Sequence, residues 1–362
     1  MSSLAHAYRA TSEGEGVISA GGLPATRLAL GKVSGEGSVV AYVGNKNRVF
    51  KHQISLPGKD KVTFISTKGS KASLPVPAKC TVQQDCQNNN MHPCEVQSVS
   101  STVTGDITVA SIDAKGGIRV SCNDKATESS YSSNLESSWA GIDLEPCSSG
   151  TPSFAVSAHF CSRMIGRYDI KKGVYSSQTH CALAPTAVCL LDQCAIGIAE
   201  SNVLSIWDSR SNSCCGRSTV SRDLLFGIAT SGDNPNLLLT AGADRTVYTV
   251  DRRNWKIQNR WRSPLKYEAI GLMVSPSNPS NCYVAGLDND ILCGQWHRGG
   301  NKGGDGKGGG ILFQNHHCGF RGDSRWIGLS VFDSKENSRG DVIVGGCESG
   351  SLYVIENAQY MQ

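Results

Sequence analysis

Two lines of sequence decide the fold. Residues 192–210 read DQCAIGIAESNVLSIWDSR, and residues 234–253 read NPNLLLTAGADRTVYTVDRR. Each line has an apolar run, a turn of small residues, an alternating run and a closing aspartate. When Asp208 is aligned with Asp251, Leu204 falls on Val247 and Ser201 falls on Asp244. Self-similarity at a fixed period is typical of repeat architectures, so we expect further copies along the chain.

Five more copies can be placed, and most spacings between them fall near the roughly 40 to 45 residues of a four-stranded propeller blade. Gly 40 and many short apolar runs favour tight turns between short strands. We therefore predict an all-β chain: one seven-bladed β-propeller of four-stranded antiparallel blades. It spans residues 25–357, with insertions at about 69–94 and 298–310 and a tail at 358–362. For four blades, the fourth strands are placed at residues 61–68, 218–222, 256–262 and 311–317.

The seventh unit ends one strand short, after SLYVIEN at 351–357. A closed ring of blades removes the open sheet edge, and a strand from the other end of the propeller can complete the last blade. We predict that the N-terminal segment, residues 1–24, supplies this strand. Either HAYRATSEG at 6–14 or GVISA at 16–20 has a suitable pattern.

The repeats resemble the WD40-repeat β-propellers. Ile206-Trp207-Asp208 is an intact signature, and Tyr168-Asp169, Val250-Asp251 and Gln295-Trp296-His297 are degenerate versions. The repeat signature residues are Trp207, Asp208, Asp244, Asp251 and Trp296. No unit opens with the Gly-His dipeptide of that family, and one unit has a true Trp-Asp pair. The resemblance therefore implies that the family's buried Asp-His-Ser-Trp network is mostly absent, with His180 as the plausible partner in the blade of Trp207.

Composition narrows the class of protein. The chain is 39% hydrophobic and 18% charged with a net charge of +4, which is ordinary for a globular protein and indicates neither presence nor absence of a nucleic-acid partner. No export signal is recognised in MSSLAHAYRATSEGEG, and no window approaches the ~18 apolar residues of a membrane span. Cys 15, an odd number, fits reduced thiols. We expect a cytoplasmic or nuclear protein that is not inserted in a membrane.

No catalytic motif can be assembled from the sequence, so we predict that the chain is not an enzyme and needs no cofactor. The stretch GGNKGGDGKGGG at 299–310 lacks the Ser or Thr after Gly-Lys that a phosphate-binding loop requires. A solvated loop is the better interpretation.

One group of residues has the chemistry of a zinc site. The ligand types that zinc prefers, thiolate and imidazole, occur together in CTVQQDCQNNNMHPC. The candidates are Cys80, Cys86, His92 and Cys94. Their spacing matches no established zinc motif, and a long polar loop that contains cysteines is the alternative.

The function predicted from this fold is a non-catalytic scaffold or adaptor that binds other proteins in an intracellular multisubunit complex. A first alternative rests on Trp207-Asp208-Ser209-Arg210 and Val250-Asp251-Arg252-Arg253. Similar Trp-Asp-x-Arg motifs occur in WD40 substrate receptors of cullin-RING ubiquitin ligases, which makes Arg210 and Arg253 candidate partner-binding residues. A second alternative is a nucleic-acid- or chromatin-associated subunit that uses Arg252, Arg253, Arg260 and Arg262.

Overall fold

The computed structural model is a ring of seven four-stranded antiparallel sheets, as the repeats predict. It describes residues 6–11, 24–34, 37–56, 63–66, 73–76, 78–86, 91–102, 107–126, 135–146, 150–231, 234–296, 318–333 and 340–358. Within these ranges no helix has the length and apolar character needed to cross a bilayer. The fold is a seven-bladed β-propeller closed by an N-terminal strand.

The strands of each blade are named a to d from the ring axis outward. Blade 1 contains Leu28–Ser34, Ser38–Asn45, Arg48–Ser55 and Thr81–Cys86. Blade 2 contains Val96–Ser101, Thr108–Asp113, Ile118–Cys122 and Lys125–Ala126. Blade 3 contains Ala140–Leu144, Phe154–His159, Met164–Asp169 and Val174–His180. Blade 4 contains Pro185–Leu190, Ala195–Glu200, Val203–Asp208 and Ser213–Thr219.

The remaining three blades follow the same order. Blade 5 contains Leu225–Thr230, Leu237–Gly242, Thr246–Asp251 and Lys256–Arg262. Blade 6 contains Ala269–Val274, Asn281–Gly286, Asp290–Gln295 and Cys318–Arg321. Blade 7 contains Trp326–Asp333, Asp341–Cys347 and Ser351–Glu356, with His6–Thr11 as strand d.

The sequence pattern of each strand follows its distance from the axis. Strand b is packed between neighbouring sheets on both faces, so it is buried at nearly every position; strand b of blade 3, for example, is buried throughout. Strand d lies at the rim and alternates, as VYSSQTH does at 174–180. The buried apolar residues that the structure describes fall into seven clusters, one between each pair of neighbouring blades.

The ring closes where the first strand meets the last blade. Strand His6–Thr11 pairs antiparallel with Ser351–Glu356, from His6 opposite Glu356 to Thr11 opposite Ser351. Tyr8 is buried, and its hydroxyl donates to Glu356 Oε2 at 3.2 Å. The outer side of the same strand pairs in parallel with Ala78–Lys79, from the insertion in blade 1. The closing strand is therefore covered on both edges.

Two predictions of outer strands were wrong, and a third lies outside the described residues. Blade 1 takes Thr81–Cys86 as strand d, whereas Thr63–Ser66 pairs with Ser73–Val76 in a separate hairpin. In blade 4 the outer strand is Ser213–Thr219 and not 218–222. In blade 6 it is Cys318–Arg321, while the predicted 311–317 lies outside the described residues. Outer strands bury one side at most, so their hydrophobic signal is weak; the prediction at 256–262 in blade 5 is confirmed.

The propeller has two faces, which differ in the connections they carry. The b–c turns and the connections from strand d to the next blade form what we call the upper face. The a–b and c–d turns form the lower face. A cavity of about 390 Å³ on the axis is lined by strand a residues of the blades. In its wall, Asp143 accepts hydrogen bonds from Leu190 N at 2.8 Å and Ser100 Oγ at 3.2 Å, which joins blades 2, 3 and 4.

Candidate functional site

The two arginines predicted to bind partners occupy equivalent places on the lower face. Arg210 follows strand c of blade 4 and donates from Nε and Nη2 to its own Asp208, at 3.2 and 2.9 Å. Arg253 does the same to Asp251 in blade 5, at 3.0 and 2.7 Å. The side chains of Arg210 and Arg253 are 68% and 66% exposed. Each arginine therefore presents an outer edge to solvent while its inner edge stabilises the turn.

These forks also fix the charge of the aspartates. The hydrogen bonds from the Arg210 side chain and amide lower the pKa of Asp208 to about 2, and those from Arg253 lower that of Asp251 to about 2. Both turns hence remain ion pairs at any physiological pH. The ion pair with the neighbouring aspartate is enough to explain an arginine at each position, even if no partner protein binds there. The argument for partner binding is therefore that both guanidinium groups are exposed and occupy equivalent places.

The arginines of the nucleic-acid alternative do not share one face. Arg252 lies on the lower face, 3.6 Å from Asp192 of blade 4. Arg260 and Arg262 lie along strand d of blade 5, which runs across the rim, and Arg260 stands over the Tyr248 ring at 5.9 Å. A phosphate backbone would need a continuous basic track, which this distribution does not make.

Trp207 is a core residue of blade 4 and has partners other than the predicted histidine. Its Nε1 donates to Ser205 Oγ at 2.9 Å and to Glu200 Oε1 at 3.3 Å. Glu200 is fully buried and also accepts from the Ser205 hydroxyl. The expectation for His180 was wrong, because its ring is exposed and faces Ser162 O at 3.1 Å. A glutamate takes the place that the sequence analysis gave to a histidine.

An Asp-His-Ser network does exist, in blade 2. His92 Nε2 lies 2.8 Å from Ser111 Oγ, and Nδ1 lies 3.4 Å from Asp113 Oδ2. His92 and Asp113 are buried; burial lowers the pKa of His92, with Asp113 opposing part of that shift. Burial alone would raise the pKa of Asp113, but hydrogen bonds from His92 and the Gly117 amide lower it overall. The sequence analysis had interpreted His92 as a zinc candidate.

The described zinc candidates do not gather into a metal site. Both ring nitrogens of His92 point at side chains of blade 2. Cys80 is half-buried beside the closing strand, where burial raises the pKa of its thiol to about 11. Cys94 is also half-buried, and the side chain of Cys86 lies outside the described residues. Among the side chains described, no three His, Cys, Asp or Glu residues gather as a metal site would require.

The other two signature residues lie in turns of blades 5 and 6. Asp244 follows strand b of blade 5 and accepts from the Ser221 and Tyr248 hydroxyls, at 2.7 and 2.5 Å. Trp296 is buried, and its Nε1 donates to Pro279 O at 2.8 Å. Both residues stabilise their own blades. The glycine-rich stretch at 299–310 lies outside the described residues, as do 17–23 of the N-terminal segment.

Sequence reasoning missed a surface on the upper face. The described exposed large apolar residues are Met91, Phe160, Val174, Leu183, Leu224 and Tyr267, and all except Val174 lie in b–c turns or in connections between blades. Leu183, Leu224 and Tyr267 occupy three successive connections, from blade 3 to blade 6. Their exposed fractions are 37%, 42% and 46%. Apolar residues that lie on one face are candidates for contact with another protein.

The same part of the upper face is basic. We call residues 160–163, 181–184, 220–224, 243–245 and 263–268 the upper arc. Its exposed charged residues are Arg163, Arg222, Asp223, Arg245 and Lys266. Asp244 and Glu268 of the arc are half-buried, so its exposed charges are four cations and one anion, and its full set is four cations and three anions.

Two of these arginines hold the arc in shape. Arg163 and Arg245 each precede strand c of their blade with a left-handed backbone, at φ values of 53° and 59°. Arg163 Nη1 donates to Ala182 O, beside Leu183, and Arg245 Nη1 donates to Lys266 O, beside Tyr267, both at 3.1 Å. The connections that carry the exposed apolar residues are thus fixed by the neighbouring b–c turns.

Comparison with known proteins supports the fold. No family model matches the sequence, and no curated protein matches it. Among solved structures, a chain of the crystal structure of the mitotic checkpoint complex superposes with a TM-score of 0.63 at 12% identity, over 96% of this chain and 90% of that chain. This likeness agrees with the seven-bladed propeller fold. At this identity it bears on the fold alone.

Proposed function

We propose that this protein is a non-catalytic scaffold that binds other proteins through the upper arc. The observation that carries the proposal is the position of Leu183, Leu224 and Tyr267 on successive connections of one face. Exposing three large apolar side chains together costs solubility, and a bound partner offsets that cost by removing them from water. The superposed chain also comes from a multiprotein complex, which supports a role of this kind.

The charges of the arc select the chemistry of the partner. Arg163, Arg222, Arg245 and Lys266 surround the apolar residues and leave a net positive rim. A protein segment that combines apolar and acidic side chains fits this surface, because its carboxylates would meet cations around a dry centre. Arginines that are already braced against backbone carbonyls lose little further freedom on binding.

The test is affinity purification from the native source, followed by mass spectrometry and by reconstitution with the recovered protein. We expect Leu183→Asp combined with Leu224→Asp to remove the partners that the unmodified protein recovers and to weaken the reconstituted complex at least tenfold. Val174→Asp is the matched control, because Val174 is an equally exposed apolar residue on strand d of blade 3, at its lower-face end. Recovery of the same proteins by both variants would exclude the upper arc as the binding surface.

A second candidate function, substrate receptor of a cullin-RING ligase, is favoured by the equivalent exposure of Arg210 and Arg253 on the lower face. The same purification decides it with Arg210→Ala and Arg253→Ala. Loss of a ligase adaptor from the recovered set would support the receptor function. An adaptor that is absent from the unmodified sample, or unaffected by the two substitutions, would count against it.

A further inference from the structure

A second cavity lies on the lower face, between blades 3 and 4. It has a volume of about 330 Å³ and is lined by Arg167 and Arg210, by the hydroxyls of Ser176, Ser177 and Ser209, and by the ring of Phe154. Ser176 Oγ already donates to Arg167 O at 3.1 Å and Ser177 Oγ to Ser209 O at 3.3 Å, so the two guanidinium groups and the Ser209 hydroxyl are the donors left for a ligand. The lining therefore has the chemistry of an oxyanion site.

Arg167 supplies the inner wall of this cavity. Its guanidinium carbon lies 3.7 Å from the centre of the Phe154 ring, and Nη1 donates to Ser209 Oγ of the neighbouring blade at 3.3 Å. Among the residues the structure describes, no carboxylate lies within ion-pair distance of Arg167, and its Nε and Nη2 have no hydrogen-bond acceptor. The stacked ring fixes the plane of the guanidinium, so the remaining donors are held ready for a ligand.

An arginine at this position is a departure from the repeat. In blades 3, 4 and 5 the pairing of strands c and d shifts register at one point, directly after Arg167, Ile206 and Thr249. These three residues are therefore structural equivalents. Ile206 and Thr249 are buried and neutral, as packing between blades requires. Packing between the blades does not require a cation at this position, so the presence of Arg167 in blade 3 needs another explanation.

Arg210 closes the outer side of the cavity. Its Nε and Nη2 are held by Asp208, which leaves the Nη1 edge on the exposed side of the fork. Asp169 also lines the cavity and lies 3.7 Å from Lys172 Nζ. With both aspartates paired, Arg167 provides the uncompensated positive charge.

We propose that this cavity binds the phosphate group of a phosphomonoester. A carboxylate has two oxygens and would leave part of this donor set unused, whereas a tetrahedral dianion can accept from both guanidinium groups and from the Ser209 hydroxyl at once. The volume exceeds that of a bare phosphate ion and reaches the lower end of the range for ligand pockets, which leaves room beside Phe154 for the group that carries the phosphate. A phosphorylated side chain of a protein has this chemistry, as does a small phosphate ester.

The test is isothermal titration calorimetry in chloride buffer with two probes, inorganic phosphate and N-acetyl-O-phosphoserine amide. We expect saturable binding at one site, and Arg167→Gln to weaken it at least tenfold because a charge-assisted fork is lost. Tighter binding of the phosphoserine probe would assign the site to an ester, and equal binding of both probes would assign it to the phosphate group alone. The unphosphorylated serine amide should not bind.

Arg253→Gln is the matched control. Arg253 forms the same fork in blade 5, but in the neighbouring blade 4 the residue equivalent to Arg167 is the neutral Ile206. This variant should bind the probes as the unmodified protein does. Arg210→Gln provides a second variant, at an exposed position where the loss of a surface ion pair costs little stability, and we expect weaker binding there too. The proposal is overturned if neither probe saturates at millimolar concentration, or if Arg210→Gln and a folded Arg167→Gln both bind like the unmodified protein.

Discussion

At the scale of single residues, His52 shows how the core sets a pH dependence. It lies on strand c of blade 1, is 6% exposed, and its buried Nδ1 has no hydrogen-bond partner. Burial disfavours the charged imidazolium and lowers the pKa of His52 from 6.5 to about 4. The folded protein therefore keeps this ring neutral over a range in which the unfolded chain protonates it.

For this reason we expect the free energy of unfolding to decrease as the pH is lowered. Above pH 6.5 neither state binds the proton, so His52 adds no pH dependence. Between pH 6.5 and 4 the unfolded state binds it and the folded state does not, which removes up to about 3 kcal/mol from the free energy of unfolding. His52→Leu should flatten this part of the curve measured by urea unfolding, whereas His180→Leu, at an exposed histidine, should leave it unchanged. If the free energy of unfolding of His52→Leu depends on pH as steeply as that of the unmodified protein, the expectation is contradicted.

Residues also show where sequence reasoning failed. Trp207, Asp208 and Asp251 could be placed because they recur at one spacing. His92 could not, since its partners Ser111 and Asp113 are about twenty residues away and meet it only when strand b of blade 2 is in place. Arg167 was missed although the aligned signatures already place it at the position of Ile206 and Thr249, because the sequence does not show that Arg210 of the next blade lies at the same cavity.

At the scale of elements, strand d of blade 5 joins three blades. Its Trp261 lies over Gly294 on strand c of blade 6, and Trp255, in the turn before it, lies over Gly216 on strand d of blade 4. The blades diverge toward the rim, so large rings are needed to fill the space between them. Glycine opposite each indole permits the close approach.

We expect Gly294→Ala to destabilise the protein by about 1–3 kcal/mol, because the new Cβ would overlap the buried Trp261 ring. Trp261→Leu in the same chain should recover part of that loss, and a double-mutant cycle of urea midpoints measures the coupling. Gly271→Ala serves as the control, since its Cβ would come no closer than 3.3 Å to a neighbour. Additive effects of the two blade 5–blade 6 substitutions would contradict the direct contact.

The elements divide into those that the sequence predicts and those that it does not. Strands a to c were identified from continuous apolar runs, which is what burial on both faces produces. Outer strands carry at most one buried face, and Thr81–Cys86 has few apolar residues to distinguish it from a loop. The sequence analysis placed the outer strand of blade 1 at 61–68, which is more apolar, but Thr63–Ser66 forms a separate hairpin with Ser73–Val76.

At the scale of the whole molecule, stability depends on closing the ring. The closing strand buries Ala7, Tyr8 and Ala10 and covers the edge of Ser351–Glu356. We expect deletion of residues 1–11 to lower the free energy of unfolding by at least about 3 kcal/mol, since a large buried side chain and a complete ladder are lost. Urea unfolding monitored by tryptophan fluorescence measures the change.

Arg9→Gln tests the contribution of the Arg9 charge separately from that of the closing strand. This substitution keeps the ladder and removes a part-exposed ion pair with Asp323, so it should cost about 1 kcal/mol or less. Tyr8→Ala should fall between the deletion and this control. Unchanged unfolding of the deleted chain would show that the ring is stable without closure.

The register of the closing strand has a mechanical consequence. His6 and Glu356 are opposite each other at one end of an antiparallel ladder, so the chain enters and leaves the propeller at the same point. Tension applied across that point would load the hydrogen bonds one pair at a time, as in opening a zipper, instead of shearing six pairs together. The protein would then resist chemical unfolding as one ring yet open under a small force at this single seam, with the upper and lower faces of the other six blades still intact.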